Sequence, residues 1–159
     1  MTGERRTAII TGAWGPTREL AARVAVHLAA DGWELRACGP YSLDLTDDPA
    51  LRVSRHVVGD LHDPDVAAGL FDDLPVGGRT VVVHLAPLGA VADVVFGRQP
   101  APLVEALDVA TRGTYVLYKA ALAAGVGEAV QASSLTSMDA YADDLEVTEQ
   151  WRPRPAPTV

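Results

Sequence analysis

Thr7-Ala8-Ile9-Ile10-Thr11-Gly12-Ala13-Trp14-Gly15-Pro16-Thr17-Arg18 is the stretch on which the fold turns. Five β-prone residues run without a polar break and stop at Gly12, as a buried strand stops. From Thr17 to Ala30 the period changes. Leu20, Val24 and Leu28 recur every four residues with Ala21 and Ala25 beside them, which is one face of a helix. A strand that passes through a glycine turn straight into a helix is the opening half of a β-α-β unit. Asp31-Gly32 ends the helix, and Trp33-Glu34-Leu35-Arg36-Ala37-Cys38 reads as the returning strand, stopped by Gly39-Pro40.

The same alternation continues outward. Residues 41–54 hold no period and read as a loop. Arg55-His56-Val57-Val58 is a short third strand ending at Gly59-Asp60. Asp63 then supplies a helix N-cap with Pro64 at the first helical position. Val66, Ala67, Leu70, Phe71 and Leu74 form that helix's apolar face. Thr80 to Leu85 is the strongest strand signal, and its three consecutive valines, Val81 to Val83, suit a strand covered on both faces. Residues 86–101 are punctuated by glycine and proline. Leu103, Leu107, Ala110, Thr114, Leu117 and Ala121 mark a long helix, and Ala129 to Ser133 a fifth strand. Strands alternating with helices predict a Rossmann-type α/β three-layer sandwich with a mostly parallel five-stranded sheet. Residues 1–150 form the predicted domain, and 151–159, with Pro153, Pro155 and Pro157, an extended tail.

The chain has 159 residues, 48% of them hydrophobic and 21% charged, the balance of a globular domain rather than a disordered one. Its net charge of −8 repels phosphate backbones, so nucleic acid is not an expected partner. No apolar run approaches the roughly 20 residues of a membrane helix, and the N-terminus has no signal-peptide core. A cytoplasmic location follows as the expectation. Cys38 is the lone cysteine, which excludes an internal disulfide. His56, Asp60, His62 and Asp63 lie close in sequence but without ligand spacing, so no metal is expected.

In such sheets ligands bind beyond the carboxyl ends of the strands. After the first strand, Gly12 permits a tight turn, Gly15 lets backbone N–H groups approach a pyrophosphate, and the helix tip adds partial positive charge. An ordinary turn has the same composition. After the third strand, the Asp60 carboxylate could accept from an adenine amino group while the next N–H, that of Leu61, reaches a ring nitrogen. The alternative is that Asp60 caps a turn. After the fourth strand, Leu85-Ala86 offers small backbone against which a ribose could lie. After the fifth come the hydroxyls of Ser133 and Ser134. Trp14 could shield a cofactor face or stand as an exposed loop aromatic.

Thr-Gly-Ala-Trp-Gly at 11–15, Gly-Asp-Leu at 59–61, His-Leu-Ala at 84–86, Arg-Gly-Thr at 112–114 and Ser-Ser at 133–134 together resemble the extended short-chain dehydrogenase/reductase family. That family contains NAD-dependent sugar-nucleotide epimerases and dehydratases, and the likeness runs from Thr7 to about Pro155. It implies NAD or NADP as cofactor, its pyrophosphate at Gly12, Ala13, Trp14 and Gly15, and its adenine at Asp60 and Leu61. It implies the ribose and nicotinamide side near Leu85 and Ala86. Ser134 is implied as the active-site hydroxyl, with Thr136 or Ser137 replacing it if the loop folds differently. Tyr141-Ala142 resembles the Tyr-Gly that usually follows, about three residues late.

The departures bear on activity. Arg18 stands where the family has a third glycine, so it must point outward, displace the helix start, or reach a phosphate as a cation. Gly39-Pro40 replaces the acid that binds the adenine ribose, leaving NAD and NADP undistinguished. Ala110 replaces an asparagine of the long helix. The family's Tyr-x-x-x-Lys acid/base is missing from its place. Tyr115 and Lys119 have that spacing but lie one element too early. Family members are also about twice as long, with a C-terminal substrate region. The expectation is the NAD(P)-binding part of an epimerase/dehydratase-like oxidoreductase, inactive alone, partnered by a missing C-terminal half or a second copy. The alternative is a non-catalytic Rossmann module that senses a nucleotide or holds a partner.

Overall fold

In β1 (Arg6–Thr11) the side chains divide between two hydrophobic cores: Ala8 and Ile10 enter one and Ile9 the other. A strand with apolar residues on both faces requires a layer of structure above and below it. The computed structural model describes residues 4–13, 17–39, 53–85, 109–133, 140–142, 144–146 and 148–154. Its further elements are α1 (Arg18–Ala30), β2 (Glu34–Gly39), β3 (Arg55–Val58), α2 (Pro64–Gly69), β4 (Arg79–His84), a π-helical turn at Val109–Gly113 leading into α3 (Thr114–Ala123), and β5 (Glu128–Gln131). The five strands form one sheet in the order β3-β2-β1-β4-β5, and every pairing is parallel. The expected Rossmann-type architecture is therefore the observed one.

One core lies between the sheet and α1, where Ala8, Ile10, Leu35, Ala37, Val83 and Leu85 meet Ala21 and Ala25. The sequence places Leu20 on the buried face of α1. The structure centres that face on Ala21 and Ala25, both fully buried, and leaves Leu20 44% exposed. Alanines let the helix axis approach the strands closely, and Val24 and Leu28 pack at the margin. The other core joins Ile9, Cys38 and Val82 to Leu70, Phe71, Leu117, Ala121 and Val126.

Asp63 caps α2 as expected, its Oδ1 accepting from the Asp65 N–H at 2.9 Å. The helix is shorter than its apolar pattern, which extends to Leu74. It ends at Gly69, and Leu70 and Phe71 are buried from a tightened turn whose N–H groups reach back three residues, to Ala67 and Ala68. Arg36 supplies the reason. It lies 4% exposed in the middle of β2 and donates to the carbonyls of Leu70, Asp72 and Asp73, drawing the chain after Gly69 against the sheet. At the amino-terminal edge of the sheet, the guanidinium groups of Arg6 and Arg79 stand over the Trp33 ring, 5.3 and 5.5 Å from its centre. The expected fifth strand is displaced towards the N-terminus, and all four residues of β5 are exposed.

Residues 41–52 of the loop expected over 41–54, the loop over 86–101, the first turns of the long helix and the last tail residues lie outside the described residues. Residues 151–154 turn back onto 140–141: the Ala140 N–H donates to the Arg154 carbonyl at 2.9 Å, and Trp151 packs edge-on against Tyr141.

Candidate dinucleotide site

The strand order reverses at β1, which has β2 on one side and β4 on the other. That reversal opens a crevice beyond the carboxyl ends of the two diverging strands. Register aligns the rim: Thr11 pairs with Cys38 and with His84, and His84 pairs with Gln131. Gly12, Leu85 and Ala132 therefore leave the sheet side by side. The ladder extends one step further, with Leu85 N–H on the Thr11 carbonyl at 3.1 Å and Ala132 N–H on the His84 carbonyl at 3.0 Å.

At the crevice, Gly12 has φ 77°, a left-handed conformation that a Cβ makes costly. Thr17, at the N-cap of α1, does not cap the helix with its side chain. Its hydroxyl instead donates to the Gly12 carbonyl at 2.5 Å and ties the turn to the helix tip. Arg18 is the first helical residue and is exposed, so the helix start is where the sequence put it and the guanidinium points away from the core. Ala13 is buried, its methyl group in the α1 core. Trp14 and Gly15 lie outside the described residues.

Beyond β3, Asp60 is about half exposed and organises its own turn. Its Oδ1 accepts from the His62 N–H at 3.3 Å and stands 3.0 Å from His62 Nδ1, and its carbonyl accepts from the Asp63 N–H at 3.0 Å. Asp60 thus caps its own turn, the alternative that the sequence left open. Leu61 and Leu85 are buried, so main chain is what they can offer a ligand. Gly39 ends β2 with its carbonyl taken by the Gly59 N–H at 2.7 Å, and it carries no carboxylate. Cys38 is inert: burial, with the Asp60 charge behind it, pushes its thiol up to about 12. Ala86, Ser134 and Thr136 lie outside the described residues, and so does Ser137. Ser133, which is described, emerges exposed past the end of β5. Tyr115 and Lys119 are both on the exposed face of α3. Among the described residues no group of three or more His, Cys, Asp or Glu side chains could hold a metal ion, and no helix is long and apolar enough to cross a membrane.

The sequence did not single out the buried polar cluster beneath the crevice. His84, 1% exposed, has Nδ1 2.6 Å from Thr11 Oγ1 and Nε2 2.8 Å from Thr114 Oγ1. The Tyr118 ring stands edge-on to it with centroids 5.8 Å apart. A polar residue closing each of two otherwise apolar adjacent strands, Thr11 and His84, is the signal that was available. Burial pushes the His84 imidazole down to about 4. An unfolded histidine titrates near 6.5, so the unfolded chain takes up the proton first as pH falls. The stability gained from a neutral His84 is complete above about pH 6.5 and is lost as pH drops towards 4. We expect the stability difference between wild type and His84→Gln, measured by urea unfolding, to shrink by about 2.5 kcal/mol between pH 7.5 and 4.5. A pH-independent difference would contradict a neutral buried imidazole.

No protein-family model matches the sequence, and no curated protein matches it. Solved structures do match. The UDP-glucose 4-epimerase of Thermotoga maritima, crystallised with UDP-glucose, superposes with a TM-score of 0.66 at 17% identity, covering 94% of this chain and 45% of that one. The UDP-glucose 4-epimerase of Bifidobacterium longum, in complex with NAD+ and UDP, gives 0.63 at 20% identity over 91% of this chain and 41% of the other. WbmG of Bordetella bronchiseptica, with NAD and UDP, gives 0.64 at 18% identity over 94% and 44%. The chain thus spans less than half the length of each of these proteins. At such identities the likeness is one of fold, and the fold is the Rossmann-type sandwich that the strand-turn-helix pattern predicts.

Proposed function

We propose that this domain binds a nicotinamide dinucleotide, NAD or NADP, across the crevice between β1 and β4, as the cofactor-holding part of an epimerase/dehydratase-like oxidoreductase. The observation that carries the reading is Gly12: a positive-φ glycine at the strand-order reversal, directly before the tip of α1, with its carbonyl held by Thr17. A residue with no Cβ there lets a diphosphate approach main-chain N–H groups, and the helix tip favours its charge. Asp60 and the Leu61 main chain would hold the adenine, and Leu85 with Ala86 the ribose and nicotinamide side. The cofactor would supply hydride transfer at a carbinol carbon, with Ser134, or Thr136 in its stead, bonded to the reacting oxygen. Two of the three solved structures named above hold NAD with UDP or NAD+ with UDP, which supports a nucleotide of this class. Residues 1–159 by themselves are expected to show no turnover, since Tyr115 and Lys119, the pair with the acid/base spacing, lie on the exposed face of α3. A cytoplasmic setting, where the cofactor pool lies, accords with the reading.

The second reading, a module that senses a nucleotide or holds a partner without catalysis, is favoured by Gly39, which leaves the end of β2 without a ribose-binding carboxylate. Ligand-dependent unfolding tests both. NAD, NADH, NADP or NADPH at a hundred times its dissociation constant should add about 2.7 kcal/mol to the unfolding free energy. No shift with any of the four would overturn dinucleotide binding and leave the partner-holding module.

A further inference from the structure

We infer that His84 is a positioning residue, a strut joining the pyrophosphate turn at Gly12 to the adenine corner at Asp60-Leu61-His62, so that the two halves of the crevice move as one. The inference rests on the dinucleotide reading for its function, though not for its geometry. The strut begins at Thr11, the residue before Gly12, whose hydroxyl meets His84 Nδ1, and it continues through Nε2 to Thr114. Thr114 opens α3, and the residue before it, Gly113, lies beside the proposed adenine corner. A Cβ on Gly113 would stand 3.5 Å from Leu61 Cβ and 3.8 Å from the His62 nitrogen. The chain enters this contact through the π-helical turn at Val109–Gly113. Such turns, rare in helices, recur at functional sites because they aim a residue that a regular helix would not.

A neutral imidazole has one donor and one acceptor nitrogen on opposite sides of a rigid ring, and threonine hydroxyls can rotate to complement either tautomer. Asparagine reproduces only the Nδ1 end and glutamine only the Nε2 end, so neither spans both threonines. Thr11 and His84 are buried, so water does not readily replace the bond between them, while Thr114 is half-buried. The strut runs beneath the sheet rim without reaching the rim's surface, so it shapes the crevice without touching a ligand.

Thr11→Val and Thr11→Ser provide the test, with His84→Asn and His84→Gln beside them, each in the full chain. In the ligand-free protein, Thr11→Val should speed amide exchange at Asp63, whose N–H bonds the Asp60 carbonyl, at least fivefold, and should move the Leu61 methyl resonances. Thr11→Ser should restore both, and the α1 amides at Ala25 and Leu28 should stay as in wild type. NADH titration should then show Thr11→Val, His84→Asn and His84→Gln each binding about tenfold more weakly, with the Thr11→Val/His84→Gln double variant no weaker than His84→Gln alone. Exchange that changes only next to residue 11, or equally in α1 and at Asp63, would overturn the inference, since the first shows no coupling and the second a loss of overall stability. Wild-type protein that binds none of the four dinucleotides, yet shows the Asp63 response, would overturn the proposed function and leave the strut standing.

Discussion

Arg36→Met is expected to remove about 1.5–3 kcal/mol of stability, the range for hydrogen bonds from a buried charged donor whose neutral carbonyl partners are then left unsatisfied. Arg36 donates from Nη1 to the Leu70 carbonyl at 3.1 Å and to that of Asp72, and from Nη2 to that of Asp73 at 3.3 Å. Methionine keeps the aliphatic stem and much of the packing but leaves these carbonyls without the charged donor that lets the turn lie against the sheet. Asp73 adds to the demand on that donor, since its φ of 54° is costly without tertiary support. Arg55, paired with Arg36 across β2 and β3, grips the same turn from outside through the Asp72 and Asp73 carboxylates at 3.0 and 3.4 Å. Its side chain is 34% exposed, and Arg55→Ala should cost no more than about 1 kcal/mol. Urea unfolding of the two variants reads the contrast. An Arg36→Met loss within about 1 kcal/mol would mean that the turn holds itself.

Gly12→Val should abolish measurable dinucleotide binding, a loss of at least about a hundredfold, equivalent to about 2.8 kcal/mol. Two effects act together. A β-branched residue in the left-handed region costs roughly 1–2 kcal/mol in the turn itself, and its methyl groups would occupy the path proposed for the diphosphate. NADH fluorescence titration of the folded variant measures the loss, with circular dichroism confirming that the sheet is intact. Binding within threefold of wild type would place the phosphates elsewhere and remove the main support for the proposed site.

Much of this architecture was legible because each element carried its own period. Val81-Val82-Val83 announced a strand with both faces covered, and Val82 and Val83 do enter opposite cores. Asp63-Pro64 announced the start of α2. What was not legible came from contacts distant in sequence. Arg36 between Leu35 and Ala37 reads as the solvent face of a half-exposed strand. Only a sheet covered on both sides, with a turn more than thirty residues later offering carbonyls, makes it an interior residue. The same holds for the site. Gly12 and Asp60 could be named from their places after strands, since strand ends in a parallel sheet converge on one rim. The bond from Thr17 to Gly12, and the linkage of Thr11, His84 and Thr114, depend on rotamers and register that no local pattern encodes.

The contact of Trp33 with two arginines at the amino-terminal edge of the sheet has a practical corollary. Its indole is a built-in optical gauge on the side of the domain away from the crevice, with its emission shaped by flanking cations. In a Trp14→Phe/Trp151→Phe background its signal should follow the parting of β1 from β4 rather than occupancy of the crevice, which separates denaturation from complex formation in a single fluorescence trace.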